Sequence, residues 1–170
     1  MKRLVLVRHG DAAPWAEGGD HGRPLTPVGV DEARRLGQLL GAMDLSPALV
    51  VHSTATRAAQ TAEALASAAT WTTPLQPTPE IYDASASLLL AVVHTLPPDA
   101  DTVVLVGHQP GIGQLASLLA GGASFNVTTG CAIGLGLARD DWRGVAARDG
   151  WLLWMSSAEL ARAAASEPAR

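Results

Sequence analysis

Leu4-Val5-Leu6-Val7-Arg8-His9-Gly10 is the stretch on which the fold turns. Four apolar residues, two of them β-branched, run without polar alternation and stop abruptly at a cation, an imidazole and a glycine. A strand without a polar face is buried on both sides, which is the condition of a parallel sheet covered by helices. Two more runs repeat the pattern: 48–51 stops at His52-Ser53, and 102–106 stops at Gly107-His108. Helices are predicted between them. Thr26 caps and Pro27 opens one that extends to about Met43, with Leu36, Leu39 and Leu40 on one face. A second covers 56–69, with Arg57, Thr61 and Leu65 at four-residue spacing, and others cover 85–95 and 111–119. The glycine-bearing segment 11–24 reads as an irregular loop, and proline-rich 71–79 as extended at best. Weaker strand signals lie at 132–137 and 151–155, a terminal helix is expected at 158–165, and 166–170 is expected to fray. Strands alternating with helices predict one α/β domain over 1–165: three layers, a mostly parallel sheet and helices on both faces.

Composition agrees. The chain has 170 residues, 48% hydrophobic and 16% charged, enough for a core and unlike a disordered chain. Twelve Lys and Arg against sixteen Asp and Glu give a net charge of −4. With no basic run, neither nucleic acid nor an anionic membrane is an expected partner. A single cysteine, Cys131, excludes an internal disulfide framework and a multi-cysteine zinc site. The apolar run after Met1-Lys2-Arg3 is too short for a secretory core, and no stretch has the roughly 18 apolar residues of a membrane span. The expectation is a cytoplasmic protein.

In open α/β sheets ligands bind in the crevice beyond the carboxyl ends of the strands. If the three apolar strands are parallel neighbours, Arg8, His9, Arg57 and His108 converge there. Two guanidinium groups and two imidazoles suit a doubly charged anion, and phosphate matches the planar fork of arginine. Cationic neighbours keep a histidine neutral, so that one ring nitrogen can attack while the other is held by a hydrogen bond. Attack at phosphorus gives a phosphohistidine, the arginines stabilise charge on the equatorial oxygens, and water completes hydrolysis.

The motifs carrying these residues resemble the histidine phosphatase superfamily, also called phosphoglycerate mutase-like. Residues 4–10 resemble its signature, 53–62 its second motif with Arg57, and Val106-Gly107-His108-Gln109-Pro110-Gly111 its third. Arg8-His9-Gly10-Asp11-Ala12 and Arg23-Pro24-Leu25-Thr26-Pro27-Val28-Gly29 are similar to its small SixA-like branch, the phosphohistidine phosphatases. The resemblance implies His9 as nucleophile and Arg8, Arg57 and His108 as phosphate ligands. It departs at Thr54, where many members have proline, and at Gln109, where this branch often has asparagine.

Many phosphomonoesterases of the superfamily use a carboxylic acid to protonate the leaving oxygen. Glu80 is the candidate here, with Asp11 and Asp83 behind it, although the SixA-like branch often lacks that acid. Imidazole leaves more readily than an alkoxide, which favours phosphohistidine in a protein as substrate. Alternatives are a small-molecule phosphomonoesterase with Glu80 as acid, a non-catalytic phosphate-binding module and, less well matched in length, a mutase. No cofactor or metal is expected: the five histidines have no ligand spacing, and 107–113 lacks a P-loop lysine. The identity of the phosphorylated partner and the oligomeric state are not written in the sequence.

Other candidates carry plainer readings. Ser53 can cap a helix or bond the phosphate, and both readings stand. His52 reads as a strand end, His21 as a solvated loop residue near the mouth with contact to substrate as the alternative, His94 as helix surface and Cys131 as buried. Trp15 and Trp142 read as packing residues, with a groove-lining role as the alternative.

Overall fold

The computed structural model describes residues 1–157, so the helix expected at 158–165 and the tail 166–170 lie outside the described residues. Strand β1 (Lys2–Arg8) has β4 (Thr102–Gly107) on one side and β5 (Ala132–Leu137) on the other. With β2 (Leu49–His52), β3 (Leu75–Pro77) and β6 (Gly150–Met155) they make one sheet, in the order β3-β2-β4-β1-β5-β6. The first four strands of that order are parallel to one another. β5 and β6 add an antiparallel margin to this parallel core.

Alternation along β1 shows why its four apolar residues were needed. Leu4 and Leu6 face one core, built with helices α3 (Ala86–His94) and α4 (Gly111–Leu119). Val5 and Val7 face the opposite core, with Leu36 and Leu40 of α1 (Pro27–Ala42) and Ala58, Ala62 and Leu65 of α2 (Thr56–Ala68). The sheet is therefore the middle layer of three. Each fully buried leucine stabilises it by about 1.5–3 kcal/mol relative to exposure.

The weak strand signal of β5 has a physical origin. Gly134 and Gly136 lie under the rings of Trp154 and Trp151, and a Cβ at Gly136 would stand 2.6 Å from the Trp151 ring. The glycines remove side chains where aromatic rings from β6 cover the backbone. Trp142 is fully buried and its indole donates to the Ala100 carbonyl at 2.8 Å, whereas Trp15 is exposed. Cys131 is buried, as expected.

Candidate active site

The parallel register brings three strand ends to one place. Arg8 is paired with Gly107, so the next residues on each strand, His9 and His108, emerge side by side. Their ring centroids are 5.1 Å apart. The His9 amide donates to the Gly107 carbonyl at 3.1 Å, and the Ser53 amide to the Val106 carbonyl at 3.0 Å, which extends the alignment beyond the strands.

Arg57 arrives from the first turn of α2 and is buried. One turn further, the Thr61 hydroxyl donates to the Arg57 carbonyl at 2.7 Å and accepts from the Gly10 amide at 3.1 Å. The four-residue spacing of Arg57 and Thr61 thus fastens the β1 exit loop to the helix that carries the second arginine. Asp11 fastens the other side. Its carboxylate accepts from the Thr26 hydroxyl at 2.6 Å, while that hydroxyl caps α1 by accepting from the Gly29 amide at 3.1 Å. Asp11 belongs to the scaffold.

Hydrogen bonds fix both imidazoles. His9 Nδ1 lies 2.7 Å from the Gly10 carbonyl, which can only accept, so Nδ1 carries the proton. Nε2 is left with its lone pair, facing Arg57 Nε–H at 3.3 Å. In His108, Nδ1 accepts from Arg57 Nη2 at 3.4 Å, and Nε2 donates to the Ser53 hydroxyl at 2.8 Å. Ser53 also accepts from the Ala55 amide at 3.2 Å, which closes the turn before α2; α2 itself has no side-chain cap, and the same hydroxyl orients His108. Burial pushes His9 down from 6.5 to about 4, reinforced by the Arg57, Arg8 and Arg23 charges and opposed by the bond to Gly10. Burial, with His9 and Arg57 beside it, pushes His108 down to about 3. Both rings are neutral at physiological pH.

Arg8, His9, Arg57 and His108 line one cavity of about 490 Å³. Arg23, Asp20, Tyr82, Asp83 and Gln109 complete its wall. Asp20, in a short 3₁₀ turn at Asp20–Gly22, accepts from Arg57 Nη2 at 3.0 Å and from the Tyr82 hydroxyl at 2.8 Å, and pairs with Arg23 at 3.1 Å. These contacts, the Tyr82 bond foremost, hold its carboxyl below the usual range. Tyr82 stands edge-on to both His108 and His21. A larger cavity of about 620 Å³ shares Gln109 as a wall and has no histidine or carboxylate among its lining residues.

Glu80 lies in the 3₁₀ turn Pro79–Ile81, is exposed, and is not among the cavity-lining residues. The carboxylates that line the cavity are Asp20 and Asp83. His21 is exposed at the rim, with Nε2 3.0 Å from the Thr54 hydroxyl. His52 is buried with Nδ1 on the Ser53 carbonyl, as befits a strand end. His94 departs from its surface reading: it is half-buried, with Nε2 2.8 Å from the Val145 carbonyl, because the segment after β5 folds over α3. Among the described residues no group of three or more His, Cys, Asp or Glu could hold a metal, and no helix is long and apolar enough to cross a membrane.

Sequence reasoning missed Asp20 and Tyr82. Tyr82 is the chain's single tyrosine, a residue type that carries a polar tip on an apolar ring. Asp20 had no periodicity to mark it; the one cue was its position three residues before Arg23, inside a glycine-bearing loop.

Comparison with known proteins bears on this geometry. The sequence model of the histidine phosphatase superfamily (branch 1) matches residues 4–89. An uncharacterised protein of Picosynechococcus is 37% identical over 129 residues, covering 70% of this chain and 73% of that protein. A structure reported as a proposed phosphohistidine phosphatase SixA from Nakamurella multipartitia superposes with a TM-score of 0.81 at 29% identity, covering 92% of this chain and 95% of that one. A protein histidine phosphatase SixA complexed with tungstate superposes with a TM-score of 0.80 at 28% identity, covering 92% and 97%.

Proposed function

Since the chain belongs to the histidine phosphatase superfamily, we propose that it hydrolyses phosphohistidine in proteins through a covalent phosphohistidine at His9. The observation that carries this reading is the pinned tautomer. Nδ1–H is tied to the Gly10 carbonyl, so the lone pair of Nε2 faces a cavity that also holds Arg8, Arg57 and His108, where it accepts from Arg57 Nε–H until a phosphoryl group displaces that bond. A phosphoryl group in that cavity meets the nucleophile on one side and guanidinium donors around its equatorial oxygens. Arg8 lines this cavity and is held there by Nη1, which donates to the Val127 carbonyl at 2.9 Å. The complex of a similar SixA with tungstate, an oxyanion shaped like phosphate, supports the same assignment.

In the first step His9 Nε2 attacks phosphorus and the bond to the leaving group breaks. The new phosphoimidazole is cationic, because Nδ1 keeps its proton on Gly10, and is therefore primed for attack by water. His108, neutral and oriented by Ser53, donates no charge but completes the wall of the phosphate site. Loss of a guanidinium donor such as Arg57 costs about 3 kcal/mol, or roughly a hundredfold in rate.

The test is phosphate release in excess EDTA from a phosphohistidine protein and from a panel of phosphate esters, with His9→Ala as the blank. Release from phosphohistidine that disappears in His9→Ala supports the reading. Faster release from an ester places the protein with phosphomonoesterases, and phosphate affinity without turnover makes it a binding module.

A further inference from the structure

Asp83 is the carboxylate of this cavity that nothing else uses. Asp20 is occupied by Arg57, Tyr82 and Arg23, and Asp11 by Thr26. Asp83 lines the cavity, is exposed, and has no hydrogen bond or ion pair among the described residues. Its backbone is left-handed, with φ 49°, a conformation that Asp and Asn tolerate better than other side-chain-bearing residues. Its neighbour Tyr82 fixes the position of this turn, through the hydroxyl bond to Asp20 and the edge contact with His108 at 5.6 Å between centroids.

We infer that Asp83 binds the leaving imidazole of the substrate by accepting the N–H of its distal ring nitrogen. This rests on the phosphohistidine reading above and deepens it. The chemistry repeats what Gly10 does for His9. A phosphoimidazole expels neutral imidazole only when its distal nitrogen is protonated, and an anionic acceptor at that nitrogen favours the protonated form. In the transfer, His9 Nε2 supplies an electron pair to phosphorus and the substrate P–N bond breaks. Its electron pair returns to the ring nitrogen, and the ring leaves neutral, keeping its distal N–H, which remains hydrogen-bonded to Asp83. No proton is transferred and no separate acid is needed. The same carboxylate repels substrates whose leaving portion is anionic, such as phosphorylated sugar acids.

The test compares kcat/KM on N-phosphoimidazole with kcat/KM on para-nitrophenyl phosphate, across pH, for the wild type, Asp83→Asn and Asp83→Gly. Both replacements accept a positive φ, so the turn is preserved. The phosphoimidazole-to-ester ratio is expected to fall at least tenfold at pH 8 in both variants. The deficit should narrow at acidic pH, where the free substrate is already protonated. The wild type itself should retain its phosphoimidazole rate above the pH at which the free ring loses its proton, a readout that needs no variant. A ratio unchanged by substitution, or lowered equally at every pH, overturns the role of Asp83 while leaving the phosphohistidine reading intact. A wild type that cleaves only the ester overturns that reading and this inference with it.

Discussion

Asp20 holds Arg57 by side chain and backbone together: Nη2 donates to the carboxylate at 3.0 Å and Nη1 to the carbonyl at 2.6 Å. The guanidinium beside His9 is therefore engaged by an internal anion that lines the same cavity, on donors that a phosphate would otherwise take. The Asp20 loop contributes a competitor as well as a brace.

Removing that charge should strengthen product binding. Asp20→Asn keeps the backbone carbonyl on Arg57 but makes the cavity more positive by one charge. Inorganic phosphate should inhibit the variant at several-fold lower concentration than the wild type, with the difference shrinking as salt is raised. Inhibition that weakens instead would show that Asp20 acts only by placing Arg57.

The two buried imidazoles set a pH dependence of stability. Their folded values, about 4 for His9 and about 3 for His108, lie below the 6.5 of the unfolded chain. Below 6.5 the unfolded chain binds more protons than the folded one, so stability is fully present above that pH and is lost as pH falls toward the folded values. The loss should be on the order of a few kcal/mol, measured by urea unfolding between pH 7 and pH 4. In His9→Asn the slope should be shallower, and an unchanged slope would contradict the burial of a neutral ring.

The exit from β1 tolerates no added side chain. A Cβ on Gly10 would stand 2.5 Å from the Gly29 carbonyl oxygen, and one on Gly29 would strike the Asp11 backbone. These are backbone atoms tied into the Thr26 cap, so they cannot move cheaply. Gly10→Ala and Gly29→Ala should each lower stability by about 1–3 kcal/mol and lower activity with it, as read by denaturant midpoint and phosphate release. A Gly29→Ala protein as stable as wild type would mean that this loop repacks freely.

Glu80 offers a simple discrimination. Its exposed position outside the cavity wall predicts that Glu80→Gln changes kcat/KM by less than about twofold on phosphohistidine and esters alike, the scale of a surface substitution. A large loss confined to esters would make Glu80 the acid and favour the small-molecule reading.

Much of this arrangement is legible in the residues. Apolar runs that end in Arg8-His9, His52-Ser53 and Gly107-His108 announce buried parallel strands with chemistry at their ends, and the register of β1 against β4 then puts His9 beside His108. Thr26 and Pro27 mark the start of α1 because capping is local. What long-range packing decides is less visible. The antiparallel margin depends on glycines lying under tryptophans twenty and fifteen residues away, Gly134 under Trp154 and Gly136 under Trp151. The rim is harder still: Asp20, Arg23 and Tyr82 come from two loops without periodicity, and they meet because the Asp20 carboxylate binds Arg23, the Tyr82 hydroxyl and Arg57 together.

The proposed hydrolysis depends on transfer of phosphate to His9 Nε2. A rapid quench of the protein with a radiolabelled phosphohistidine substrate in excess EDTA, followed by peptide mapping, tests it most directly. Acid-labile, alkali-stable label is expected on the peptide carrying His9, at a stoichiometry that rises before steady-state release, and none in His9→Ala. Full turnover by His9→Ala, or label on another residue, would contradict it.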